Sequence, residues 1–255
     1  MIKKNIIQLL PLTLLCFTAI AHAETYWSDN SLSYLKNLQD FQVLTNDDIN
    51  VLTFEHVSGH NWGDVFFFVD RVNGKADHNN PEHKETYSEF SPRLSLSYVT
   101  GNDLTFGLIK DVYLAGTYEY SSGKSGDFGF GFDNYLFGVG ASWKLFEKGF
   151  FNTNIYYANN EKIDNDQQLT VSWGYPMEFG KHHVMFDGYF DWSTSADDHE
   201  ADFHFNPQLK LDVGNYFGNP KKLEVGIEYS FWHNKYGISG LDNESTVSFL
   251  IKAHL

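Results

Sequence analysis

Acidic side chains and aromatic rings recur together at every second position along much of this chain. Asp64, Phe66, Phe68 and Asp70 share one parity, as do Glu89 and Arg93, and then Asp187, Tyr189 and Asp191. Side chains of one parity share a face of an extended strand, so acids and rings lie side by side. The same face collects Glu55, Asp111, Glu119, Tyr156, Asp202, Glu224 and Glu228, with Trp232 as a further ring. Its main cations are Arg93, Lys144 and Lys210. Acids and bases on such a face can pair and brace the fold. In a narrow low-dielectric space their acidic excess can instead discourage anions and admit neutral or cationic solutes. Rings beside carboxylates suit a flat solute that carries hydroxyls. Space filling is the plain alternative for each ring taken singly.

The elements that must position this face are two-sided strands. In Phe90–Tyr98 the residues Phe90, Pro92, Leu94, Leu96 and Tyr98 alternate with Ser91, Arg93, Ser95 and Ser97. The pattern recurs at Val65–Val69, Tyr135–Trp143, Phe151–Tyr157, Leu169–Tyr175, Val184–Trp192, Phe203–Val213 and Leu223–Phe231. Leu104–Tyr120 shifts phase near Gly107–Lys110, which reads as a bulge. Ser121–Phe132 is glycine-rich and Asn73–Thr86 polar, so both read as loops. Counting a weak first strand at Ser31–Leu35, the chain holds twelve strands. Short connections near Gly59, Gly101, Lys148, Gly180 and Asn219 alternate with long ones that start near Asn73, Ser121, Asn159, Ser193 and Asn234. An even strand count with short turns at one end and long loops at the other is the pattern of an outer-membrane β-barrel, apolar face to lipid and polar face to the lumen. The expected fold is therefore an all-β, twelve-stranded antiparallel transmembrane barrel. Pro92 and Pro207 oppose this, because each removes a ladder donor in mid-strand; the barrel requires local bulges there, or positions near the membrane interface.

The ends and the composition agree. Lys3 and Lys4, the apolar run Ile6–Ile20 and Ala21-His22-Ala23 read as a secretory signal peptide over residues 1–23, leaving a single barrel domain over 24–255. The only cysteine, Cys16, falls in that segment, so the mature chain has no disulfide framework and no thiol nucleophile. Loss of Lys3 and Lys4 takes the formal charge from -15 to -17, which argues against nucleic acid as a partner. After residue 23 no apolar run is long enough for a spanning helix, so only strands could cross a bilayer. A barrel of twelve strands lies between those filled by side chains at about eight and those with an open channel at about sixteen. Its lumen should admit one small molecule closely.

Several segments, in order, carry a family likeness: Trp62-Gly-Asp64 with Phe66–Asp70, Glu89-Phe-Ser-Pro-Arg93-Leu-Ser, Asp103–Gly107 with Lys110, Asn206-Pro-Gln-Leu-Lys210, and Pro220-Lys-Lys-Leu with Tyr229. Together they resemble the nucleoside-specific channel-forming outer-membrane proteins, the Tsx-type porins. The resemblance implies a monomeric barrel in the Gram-negative outer membrane with a keyhole-like pore for nucleosides and deoxynucleosides. It also implies contact with outer-membrane lipid and lipopolysaccharide, delivery by the barrel-insertion machinery, and outer loops that serve as receptors for bacteriophage or bacteriocin. Such barrels end in Phe, whereas this chain ends in Leu255. The lumen residues expected to meet solute are Glu55, Asp64, Phe66, Phe68, Asp70, Glu89, Arg93, Tyr156, Asp187, Tyr189, Asp191, Lys210 and Glu228.

Two other readings stand beside the channel. One is a structural or receptor barrel without transport. The other is an outer-membrane lipid hydrolase: His56-Val57-Ser58 sets a base and a nucleophile two apart on one face, but the sequence indicates no third group to orient them. No Gly-x-Ser-x-Gly elbow, His-Glu-x-x-His or phosphate loop occurs, and neither enzyme activity nor a cofactor is expected. Asp197-Asp198-His199-Glu200 with Asp202 could hold a divalent cation or form a solvated loop. His182 and His183 point to opposite faces of a regular strand and cannot share an ion.

Overall fold

The computed structural model describes residues 23–39, 48–75 and 82–255. The expected signal segment, apart from its last residue, and parts of two loops lie outside the described residues. Twelve strands run in sequence: β1 Thr25–Asn37, β2 Asn50–His60, β3 Gly63–Gly74, β4 His83–Ser95, β5 Ile109–Ser125, β6 Phe128–Trp143, β7 Phe150–Asn159, β8 Asp166–Phe179, β9 His182–Ser193, β10 Asp202–Asp212, β11 Leu223–His233 and β12 Glu244–His254. Each is antiparallel to its sequence neighbour, and β12 returns to pair with β1 from Ser31↔His254 to Asn37↔Ser248. The sheet is a closed barrel.

The face assignment follows from exposure. On β12, Glu244, Thr246, Ser248, Leu250 and Lys252 are buried, while Ser245, Phe249 and Ile251 between them are exposed. Leu94, Leu209 and Ile227 are 37%, 45% and 46% exposed, whereas Asp212 is 5% exposed. A soluble sandwich would show the reverse. The apolar set therefore faces outward and the polar set lines the interior. Exposed Tyr26, Phe106, Phe150, Phe179 and Phe217 gather at the end that holds the tight turns, where a barrel places aromatic side chains at the membrane–water interface.

Both prolines lie on the outward face without a bulge. Pro92 pairs with Val65 of β3, and towards β5 the ladder lapses between Phe90↔Tyr118 and Arg93↔Ala115, then resumes in unchanged register. Pro207 pairs with Gly188 of β9, and towards β11 the ladder lapses between Phe205↔Phe231 and Gln208↔Glu228. The missing donor faces one neighbour only. Side chains cross each gap from the wet side: Thr117 donates to Ser91 at 3.0 Å, and His204 Nε2 meets Ser230 Oγ at 3.1 Å.

Five details depart from the sequence reading. The expected loop Asn73–Thr86 is shorter, because the β3–β4 ladder runs on through Arg71↔Thr86 to Gly74↔His83. The first strand is longer than Ser31–Leu35. Ser121–Phe132 is no loop: β5 and β6 continue through it and turn at Gly126, with φ +59. The stretch that starts at Phe90 leaves the sheet after Ser95, whose hydroxyl accepts from the Tyr98 backbone and caps a short helix, α1 (Leu96–Thr100). A 3-10 turn, Gly214–Phe217, likewise occupies the β10–β11 connection. Two of the connections at the tight-turn end are therefore longer than expected. The phase shift near Gly107–Lys110 corresponds to a register shift between Ile109 and Asp111 in the β5–β6 ladder.

Gly188 makes the approach of Pro207 possible. Its φ is +148, and a Cβ there would lie 2.4 Å from the Asn206 carbonyl oxygen. Gly188→Val should cost at least about 1–3 kcal/mol through backbone strain alone. In a urea titration read by heat-modifiable gel mobility, the folded band should disappear at lower urea than in the parent, while Leu209→Val on the lipid face shifts it little.

Candidate functional site

Closure fixes which interior side chains meet. Each of the lumen residues singled out above carries the inward parity, so the barrel brings them all to one wall-bound lining. They divide by partner.

One set is a neutralised lattice. Arg93, 7% exposed, grips Asp64 through Nε and Nη2 at 2.8 and 2.7 Å, and its guanidinium lies 4.4 Å over the Tyr113 ring. Lys210, 2% exposed, binds Asp187 at 2.7 Å and Gln208 at 3.0 Å, with Glu224 at 3.9 Å. Lys252 binds Glu55 at 2.6 Å, and His254 bridges Asp29 and Glu224 at 2.7 and 3.4 Å. Charges taken from water this way need their partners. Tyr156, 4% exposed, packs with Ala115, Leu136 and Ala158, and its hydroxyl lies 3.3 Å from Thr117 Oγ1, which accepts from it while donating to Ser91. These residues brace the wall. Lys144, expected inside, lies beyond the end of β6, exposed, where its backbone donates to Leu108. Lys252 takes its place as an interior cation.

The second set has carboxylates whose hydrogen bonds come from neutral donors. Asp70 accepts from Thr53 at 2.5 Å, Glu89 from Tyr87 at 2.7 Å, and Glu119 from Asn134 at 3.0 Å. Asp191 accepts from Thr170 at 2.5 Å, and Glu228 from Gln208 at 2.7 Å. Glu89 and Glu119 stand directly opposite one another on β4 and β5, an arrangement of like charges that opposes pairing. Flanking them is a string of rings: Phe66–Phe68 at 5.6 Å, Phe68–Tyr87 at 5.7 Å and Tyr87–Phe132 at 6.3 Å. A second string climbs β9 to β11: Tyr189–His204 at 5.4 Å, His204 stacked on Trp232 at 4.0 Å and 7°, and Trp232 against Tyr236 at 4.8 Å. In the strand order β3–β4 and β9–β10 are six strands apart, so the two strings face each other across the lumen.

The β11–β12 loop reaches in over the second string. Lys235 is buried, pairs with Glu244 at 2.7 Å and sits 4.7 Å over Trp232. Asn234 and Tyr236 hold φ of +48 and +60. The loop is tied to the β9–β10 loop through Glu200 N to Gly237 O at 2.9 Å and Asn234 Nδ2 to Ala201 O at 2.9 Å. Sequence reasoning missed Tyr87, His204 and Tyr236 as rings of the site. His204 carried the inward parity and was legible as polar only; Tyr236 lies in a loop without periodicity.

The rival sites fare differently. The acidic loop at Asp197–Asp202 is built around His199, whose Nδ1 lies 2.7 Å from Asp198 and Nε2 3.3 Å from Asp166. Burial works against the His199 charge, but the Asp198 and Asp166 carboxylates outweigh it and hold the imidazole above its ordinary pKa. Among the described residues no cluster of His, Cys, Asp and Glu is arranged to hold a metal ion. His56 and Ser58 carry the outward parity and stand apart from the lumen.

Comparison with known proteins gives the family. Residues 25–249 match the family model for nucleoside-specific channel-forming protein, Tsx. The chain is similar to outer membrane protein OmpK of Vibrio parahaemolyticus, 23% identical over 226 residues, covering 86% of this chain and 82% of that one. It is 24% identical over 205 residues to the nucleoside-specific channel-forming protein Tsx of Escherichia coli O157:H7, covering 71% and 65%. Among solved structures, a KdgM porin in complex with disordered oligogalacturonate superposes with a TM-score of 0.47 at 11% identity, over 88% of this chain and 97% of that one. The chain belongs to the nucleoside-specific channel-forming (Tsx) family and is an outer-membrane porin-like barrel.

Proposed function

We propose that this outer-membrane channel passes nucleosides and deoxynucleosides selectively and passively, and that its lumen performs no covalent chemistry. The observation that carries the reading is the pair of facing aromatic strings beside carboxylates whose hydrogen bonds come from neutral donors. A nucleobase is flat and stacks on Phe68 and Tyr87 or on Trp232 and His204. Its sugar presents hydroxyl donors, and Asp70, Glu89, Glu119 and Asp191 have acceptor capacity left for them. The neutralised lattice of Asp64–Arg93, Glu55–Lys252 and Asp187–Lys210 holds the wall while the acidic set meets solute. Among the residues singled out from sequence, Phe66, Phe68, Asp70, Glu89, Tyr189, Asp191 and Glu228 belong to the solute-facing group. The loops at the opposite end from the tight turns offer a surface for bacteriophage or bacteriocin, above all the β5–β6 hairpin, whose Phe128 is 72% exposed.

In planar bilayers, adenosine or thymidine should reduce single-channel current. Absence of conductance would instead support a structural barrel. Trp232→Ala or Tyr189→Ala should weaken the block about 5- to 100-fold, as one lost stack of about 1–3 kcal/mol requires; an unchanged block would overturn the role of the rings.

Changing Asp70, Glu89 and Glu119 together to their amides should lower cation preference, read as a reversal-potential shift in a salt gradient. Asp64→Asn should act on stability, because it strands a buried guanidinium; removal of one partner of such a pair costs about 3–5 kcal/mol. Urea unfolding should separate the two groups of variants.

A further inference from the structure

The outward face carries a polar cluster that the channel does not use. Asn30 of β1 stands opposite His56 of β2, one step towards the tight-turn end from the apolar pair Leu32↔Phe54, and Ser58 lies two residues beyond His56. His56 Nδ1 is 2.8 Å from Asn30 Oδ1, and His56 Nε2 is 3.0 Å from Ser58 Oγ. Ser58 Oγ is also 2.9 Å from His60 Nε2, and His60 Nδ1 is 3.0 Å from Thr25 Oγ1. One proton order satisfies every contact. The Asn30 carbonyl oxygen can only accept, so His56 carries its proton on Nδ1 and offers a lone pair at Nε2. Ser58 then donates to His56, His60 Nε2–H donates to Ser58, and Thr25 donates to His60.

We infer that Ser58, His56 and Asn30 form a nucleophile, base and orienting group for hydrolysis of a long-chain carboxylic ester presented by the surrounding lipid. The third group that the sequence did not reveal comes from the neighbouring strand. The roles follow the general nucleophile–base–orienter pattern, in which an amide can replace the carboxylate. Asn30 is a positioning residue; it fixes the imidazole tautomer. Ser58 Oγ attacks the ester carbonyl carbon, and His56 Nε2 takes the hydroxyl proton as the new C–O bond forms. The intermediate collapses by breaking the bond to the alcohol, which leaves with the proton from His56. Water, deprotonated by His56, then releases the fatty acid from Ser58, and Ser58 recovers its proton. Ser58 is 2% exposed because the two rings close over it, so the ester enters by turning the His60 ring off the hydroxyl. The source is glycerophospholipid of the leaflet at the tight-turn end, because that is the end to which this cluster belongs. The site is on the opposite face from the lumen, so it stands or falls independently of nucleoside passage.

The test uses the purified full-length chain in detergent micelles, with channel conductance as the check that each variant has folded. An alkyl fluorophosphonate probe should phosphonylate Ser58, located by peptide mass spectrometry. His56→Ala should slow that labelling about 100-fold or more, the scale of a lost general base, and Ser58→Ala should abolish it. Asn30→Ala should slow it, and Asn30→Asp should restore it, which a merely structural role would not do. Hydrolysis of a long-chain 4-nitrophenyl ester should follow the same order. Conducting wild-type protein with no label at Ser58, or labelling of Ser58 at equal rates in wild type and His56→Ala, would overturn the assignment.

Discussion

Every consequence in this molecule descends from the pairing of β12 with β1. Backbone amides and carbonyls in hydrocarbon have no water to turn to, so a sheet that crosses a membrane must have no free edge. The ladder from Ser31↔His254 to Asn37↔Ser248 removes the last edge. Once the ring is shut, the two-residue repeat of the strand has only two destinations, lipid and lumen. A change of one residue in register would send Lys210 or Arg93 into hydrocarbon, so the charged interior also locks the pairing that created it.

The closed ring sets the electrostatic problem that its lining solves in two ways. Three cations, Arg93, Lys210 and Lys252, are each buried and each held by a carboxylate. They convert part of the acidic excess into struts, two between neighbouring strands and one, Lys252–Glu55, that reaches across β1 from β12 to β2. The rest, with Glu89 and Glu119 opposite each other, is left with neutral hydrogen-bond donors. A wall made only of struts would be rigid and inert towards solute, and one made only of unpaired acids would repel itself. The division between them follows from which strand lies beside which.

The period-two alternation made the strands, their faces and the interior identity of Asp64, Asp70, Glu89, Arg93, Tyr189 and Lys210 readable from the chain alone. Partners were not readable, because lateral neighbours depend on register, and register depends on turns such as Gly126 and the departure of the chain at Ser95. The glycine-rich run Ser121–Phe132 misled because composition outweighed its own alternation of Phe128, Phe130 and Phe132 with glycine and aspartate. Glycine is admitted there by close packing: a Cβ on Gly131 would lie 2.6 Å from the Ser121 carbonyl oxygen. The prolines looked like obstacles because a strand has two neighbours and the sequence does not say which one loses its donor. Asn30 was invisible as a partner of His56 for the same reason, being distant in sequence and adjacent only across the β1–β2 ladder.

The inward reach of the β11–β12 loop has a kinetic meaning. Tyr236 hangs above Trp232, His204 and Tyr189 as the top rung of a staircase whose steps are 4.0 to 5.4 Å apart. For a nucleoside taking the proposed route, each tread would lie within reach of the next, and no deep well would separate entry from exit. Passage that depends on recognition must also allow release, and closely spaced shallow resting places favour throughput over retention. Scarcity outside the cell is the circumstance in which such a conduit would matter most.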